Sequence, residues 1–154
     1  MSTPAAAAPS PTAAAPVVQG TAIGVTCSAL LTPQVIYDFN PNYSLQSSFT
    51  PKSGTDASKA LGYKGLACSW INQTSSDLIN VSVAHLSDLT SVKAAAISGT
   101  AVAGLGDAAY FSTSAGVGEL QIFKGPFWIT LNSVAFGVPD DARQLASAAT
   151  STAK

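Results

Sequence analysis

From residue 66 onward the chain alternates between apolar and polar positions. In LACSWIN (66–72) and DLINVSVAH (77–85), Ile79, Val81 and Val83 fall on one side of an extended chain, and Asn80 and Ser82 on the other. A period of two predicts strands. The intervening QTSSD is turn material, so these two strands form an antiparallel hairpin. GLGDAAYFS, VGELQIFK and FWITLNSV carry three more strand signals. Their links, TSAG and KGP, are short enough to make the three an antiparallel meander.

Three other segments read as helices, at about 32–39, 87–97 and 139–149. The first has a full start signal. Thr32 is the N-cap, Pro33 suits the first helical position, and Leu31 packs on Ile36 as a hydrophobic staple. Pro41 then disfavours helix at Asn40. The second is capped at Ser87 or Asp88, with Leu89, Val92 and Ala96 inward. In the third, Asp140 and Asp141 suit the first turn, and Ala142, Leu145, Ala146 and Ala149 form one apolar stripe. The order helix, hairpin, helix, meander, helix predicts an α+β domain: an antiparallel sheet of about five strands with helices packed on one face.

This domain is expected over 21–150, between a disordered Ala/Pro-rich tether (1–20) and a disordered tail (151–154). Residues 40–65 are a long polar connection with prolines at 41 and 51 and a short helix over Ala57–Leu61. Connections of this length are often functional.

Only 10% of the residues are charged and the net charge is −1, against roughly 25% charged in ordinary soluble domains. The basic residues are scattered, so no stripe exists to track phosphates, and nucleic acid is not an expected partner. No apolar run approaches the roughly 18 residues that signal a transmembrane helix. The first residues, MSTPAAAAPSPTAAAP, lack the basic and leucine-rich regions of a signal peptide. They resemble the tether that follows a cleaved signal or a lipidated cysteine. Met1 is accordingly read as a start placed on a truncated exported chain, with any lipid anchor lost upstream; the alternative is a natural cytoplasmic protein with a flexible N-terminal tail.

Little in the chain points to catalysis. His85 is the sole histidine and Glu119 the sole glutamate, and neither joins a nucleophile or a ligand cluster at zinc spacing. The glycines of GTAVAGLGDAAY precede a strand, the wrong setting for a phosphate-binding loop, and read as turn residues with Asp107 bonding local backbone. Paired carboxylates occur locally only at Asp140–Asp141, where a helix start accounts for them. No cofactor and no metal are expected. The aromatic residues are more suggestive. Tyr37, Phe39 and Tyr43 cluster near the end of the first helix. Trp128 alternates to the side opposite Phe127, Ile129 and Leu131, which leaves it either exposed as a binding surface or buried under the 40–65 connection. Tyr37, Tyr43 and Trp128 are the candidate ligand-binding residues, with His85 uninvolved. The two cysteines, Cys27 and Cys68, are either a disulfide across that connection or two free thiols of a reducing compartment. An exported chain with two cysteines favours the bond.

Taken in order, CSALLTP, ACSW, GLGDAAYFS, LQIFKGPFWITL and DDARQLASAA resemble a family of small secreted actinobacterial lipoproteins of unknown function. The resemblance spans residues 26–150. It implies Cys27 and Cys68 as paired cysteines, Trp70 as core and Asp107 as a turn residue, and it supplies no catalytic residues. The chain departs from the family in its longer 40–65 stretch and in lacking a lipobox cysteine. The expectation is an exported, extracellular or cell-surface, non-enzymatic binding or accessory domain for a small apolar ligand or an envelope protein. The alternative is a secreted hydrolase or enzyme inhibitor acting through 40–65.

Overall fold

A computed structural model of the chain describes residues 2–5 and 17–153. Among the described residues, eight strands and five helices follow in the order β1 (Gly20–Thr21), α1 (Cys27–Leu30), α2 (Pro33–Phe39), β2 (Tyr43–Leu45), α3 (Asp56–Gly62), β3 (Leu66–Asn72), β4 (Leu78–Leu86), α4 (Thr90–Ala96), β5 (Thr100–Ala101), β6 (Ala108–Ser114), β7 (Val117–Lys124), β8 (Phe127–Ser133) and α5 (Pro139–Thr152). The fold is α+β. One sheet, antiparallel at every pairing, runs β2-β3-β4-β8-β7-β6-β5, and β1 pairs with the end of β4 that lies beyond β3. The hairpin and the meander are both present, joined where β4 pairs with β8. The sheet has more strands than the expected five. β1, β2 and β5 add two or three residues each, too few to display an alternation.

The local signals act as their chemistry requires. Thr32 Oγ1 accepts the Val35 N–H at 3.3 Å, and Leu31 and Ile36 are both buried in one core. At the second helix, Asp88 Oδ1 accepts from the Thr90 N–H and hydroxyl at 2.8 and 2.6 Å. Those bonds, the hydroxyl's foremost, hold the Asp88 carboxyl below its ordinary pKa. The helix itself begins later than the expected 87, at Thr90, because the carboxylate closes a turn first. Asp141 Oδ2 accepts the Gly137 and Val138 N–H groups ahead of α5. In the glycine-rich turn, Asp107 Oδ2 accepts the Gly125 N–H at 2.7 Å, tying that turn to the β7–β8 hairpin.

Helices cover both faces, which corrects the one-sided arrangement. On the first face, α1, α2 and α5 pack over Cys68, Trp70, Val81, Val83, Leu120, Ile122, Ile129 and Leu131. On the second, α3 supplies Ala60 and α4 supplies Ala96 to a smaller cluster with Ala84, Leu86, Phe123 and Trp128. The reason is visible in the strands: at one end of β4, β7 and β8, side chains pointing to either face are apolar, so both sides need cover.

The expected boundaries also move. Val18 packs against the second cluster, Gln19 exchanges hydrogen bonds with Ser87 at 2.8 Å, and Gly20 joins the sheet. The ordered chain therefore includes residues assigned to the tether. Residues 2–5 are exposed without regular structure, and the rest of that assignment, at Met1 and 6–16, lies outside the described residues. Ser151 and Thr152 extend α5, and Ala153 is buried in the first core, so 151–153 are not a loose tail; residue 154 lies outside the described residues. Lys124 Nζ donates to the Thr150 carbonyl at 2.9 Å, which satisfies a helix-end oxygen with a cation.

Gly118 is a sharp steric constraint in this core. A Cβ there would stand 1.9 Å from the Phe136 carbonyl oxygen and 2.9 Å from the Phe111 ring. Gly118→Ala is expected to lower stability by about 2–4 kcal/mol through displacement of the approach to α5. Urea unfolding measures it, and a loss under about 0.5 kcal/mol, the scale of a neutral surface change, would contradict this packing.

Candidate functional site

The site is assembled by the stretch around α1, α2 and β2. Thr26 caps α1 and Thr32 caps α2, so the chain makes two short helical segments in succession. Pro41 and the Asn40 side chain, whose Oδ1 accepts the Asn42 N–H at 2.9 Å, then reverse it into β2. β2 pairs with β3 in the register Tyr43↔Asn72, Leu45↔Trp70. Between these elements lies a groove of about 270 Å³ whose lining includes Leu31, Ile36, Tyr37, Tyr43 and Trp70, with the hydroxyls of Ser28 and Ser44 at hand. Trp70, Leu31, Ile36 and Tyr43 are buried, while Tyr37 is 63% exposed. Four of these five side chains are thus held by the core, and Tyr37 alone among them is exposed. Phe39 does not line the groove; it supports Tyr43 from behind, ring centroids 6.0 Å apart, and meets Phe136 edge-on.

Cys27 and Cys68 form a disulfide across 41 positions of chain. It fastens the start of α1 to the middle of β3, two residues from Trp70, and so sets the distance between two walls of the groove. The long connection it spans carries few apolar side chains of its own, and a cross-link there acts mainly by restricting the unfolded chain.

The structure brings Tyr37 and Tyr43 together and places Trp128 elsewhere. Trp128 is 1% exposed on the opposite sheet face, with Nε1 donating to Gln121 Oε1 at 3.0 Å, in the cluster that Ala60 of α3 covers. It is core, buried in part by the 40–65 connection. Trp70, expected as core, is buried and also reaches the groove. His85 lies on β4 against Phe127, ring centroids 5.0 Å apart, away from the groove. A larger depression of about 410 Å³ runs between Gly24–Ala29 and Ser151–Thr152, but its walls carry no aromatic or long aliphatic side chain. Among the described residues no three histidine, cysteine or acidic side chains gather as metal ligands.

One juxtaposition had no local signal. Asp56, from α3, meets Glu119 of β7. Burial, then the hydrogen bond and charge of Asp56, push the Glu119 carboxyl up to about 8, against the opposing pull of Asn132 and Lys59. Sequence reading registers acidic pairs that are neighbours in the chain, and these two become neighbours only when α3 docks on the sheet.

Comparison with protein-family models, with curated proteins and with solved structures finds no match for the chain.

Replacing both Cys27 and Cys68 by Ala is expected to cost up to about 4 kcal/mol, the chain-entropy value for a loop of this size. Intact mass after alkylation, with and without reductant, checks the bond. Two thiols alkylated without reductant, in protein made in an oxidising compartment, would contradict it.

Proposed function

We propose that the chain is an exported, non-enzymatic binding domain that holds a small apolar molecule in the groove between α2 and β2. The observation that carries this is the groove's construction: walls of Leu31, Ile36, Tyr43 and Trp70 held by the core, with one exposed aromatic, Tyr37, among them. Sites for small molecules have this make-up, and a volume of about 270 Å³ falls just below the roughly 300–1,000 Å³ usual for them. The ligand class is therefore compact. Tyr37 closes over it, and the Ser28 and Ser44 hydroxyls take one polar group.

Export is supported by the Cys27–Cys68 bond, since such bonds persist in oxidising compartments. The composition agrees, with few charges and many hydroxyl side chains. No helix among the described residues is long and apolar enough to cross a membrane. Kinship with small secreted actinobacterial lipoproteins belongs to the same reading. A lipid anchor upstream would hold such a domain at the cell surface, beside apolar envelope molecules and envelope proteins.

The test is a titration with a panel of compact apolar molecules, followed by tryptophan fluorescence and thermal shift, beside esterase and peptidase substrates. Saturable binding is expected, weakened about tenfold or more, roughly 1.4 kcal/mol, by Tyr37→Ala. Val134→Ser, on an exposed position outside the groove, leaves it unchanged. Turnover of any substrate would favour the alternative in which residues 40–65 carry a hydrolase, and the absence of binding across the panel would defeat the ligand reading.

A further inference from the structure

β2 is an edge of the sheet, and its register shows which of its backbone groups are used. The Gln73 N–H donates to the Asn42 carbonyl at 2.8 Å, and the Gln46 N–H donates to the Ser69 carbonyl at 2.9 Å. With Ser44 opposite Ile71, the residues that bond to β3 are therefore Asn42, Ser44 and Gln46. In an antiparallel pair such residues alternate with ones whose N–H and C=O point away from the partner strand. Tyr43 and Leu45 thus turn their backbone groups outward. The Tyr43 N–H donates to the Asn40 carbonyl at 3.2 Å. The Tyr43 C=O and both backbone groups of Leu45 have no partner among the described residues.

The side chains of this edge look into the groove. Leu45 stands opposite Trp70, and directly opposed residues share a face of the sheet. Trp70 belongs to the first core, and all three residues of β2 line the groove beside it. Leu45 is 40% exposed, so solvent reaches this edge. An open row of main-chain groups and an apolar recess are side by side.

A free apolar molecule would fill the recess and leave the row unpaired. An extended peptide meets both. A residue set antiparallel to Leu45 donates its N–H to the Leu45 C=O and accepts the Leu45 N–H. Its side chain leaves on the same face as Leu45, toward the groove, and its two neighbours point to the other face. Two positions along, a second peptide N–H donates to the Tyr43 C=O. The residues lining the groove are all uncharged, so a charged side chain would lose its hydration there without a partner.

We propose that β2 is a docking edge for an extended segment of a partner protein, which adds one antiparallel strand beside Leu45 and seats one apolar side chain in the groove. This rests on the reading of the groove as a binding site and names what fills it, a side chain carried on a strand. In such recognition the main-chain bonds give affinity and the recess selects the residue. The segment recognised is polar, apolar, polar in consecutive positions.

NMR titration of the full, disulfide-bonded, isotope-labelled chain tests this, with the uncharged peptide acetyl-Ser-Thr-Leu-Thr-Ser-amide as probe. Saturable shifts are expected at the Leu45 amide and at the Tyr37 and Trp70 side chains. Glycine in place of the central leucine is expected to weaken binding about tenfold or more, through loss of the buried side chain. N-methylation of that leucine keeps the side chain but removes the N–H that donates to Leu45, and is also expected to cost about tenfold. Methylation of the preceding threonine, whose N–H points away from β2, leaves binding unchanged. Indifference to methylation of the leucine would overturn the strand pairing. Failure of the peptide where compact apolar molecules bind would overturn the inference and leave the groove as a small-molecule site, and failure of both would defeat the two readings together. Leu45 amide shifts that follow protein concentration without peptide would give the edge to a second copy of this chain and overturn the partner.

Discussion

The pairing of β4 with β8 is the contact on which everything else rests. It joins the β3–β4 hairpin to the β6–β7–β8 meander, two units that local chain connectivity would each form alone. The register sets Val81 opposite Leu131 and Val83 opposite Ile129 on one face, and Asn80 opposite Asn132 and Ser82 opposite Thr130 on the other. A slip of one residue would send the branched aliphatic side chains to the polar face and the amides into the core, so the apolar pattern itself enforces the register. The contact joins segments far apart in the chain, and its loop-closure entropy must be met before its burial contributes.

Around that seam the sheet is built with unlike faces. The first is continuous hydrocarbon under α1, α2 and α5. The second is apolar at one end, where Ala84, Phe123 and Trp128 meet α3 and α4. It is polar across its middle, where Ser69, Asn80 and Asn132 bond one another. Ser82 and Thr130 share a buried hydroxyl pair in the next row. Among the described residues every buried side-chain nitrogen and oxygen has a partner. A buried polar strip is tolerable only when satisfied in this way. It gives the second face lateral order beside the apolar patch that α3 and α4 cover.

The groove and the Glu119 carboxyl sit on opposite faces but share the 40–65 connection. Its first part, through β2, lines the apolar groove; its later part, α3, meets Glu119. The disulfide anchors the chain ahead of this connection and β3 takes it up behind, so a segment poor in apolar side chains is held at both ends.

How much of this was legible in the residues differs by feature. The five long strands, the meander and the α2 cap could be read because each is decided by neighbours: alternation, a short turn, a hydroxyl before a proline. The groove could be read in part, since Tyr37 and Tyr43 lie near each other in the chain. Trp70 at its floor and Leu31 in its wall come from separate elements. Trp128 could be assigned to a face and not to an exposure, because its cover, Ala60, carries almost no signal of its own. β1, β2 and β5 are too short to show a period, and the Glu119–Asp56 meeting has no local counterpart. The sequence by itself determined which residues pair with their neighbours and which side of each strand is apolar, since period and turn chemistry act over a few residues. Tertiary structure alone decided which helix covers which face and which side chains are buried beneath it, because those depend on surfaces that exist only once β4 has found β8.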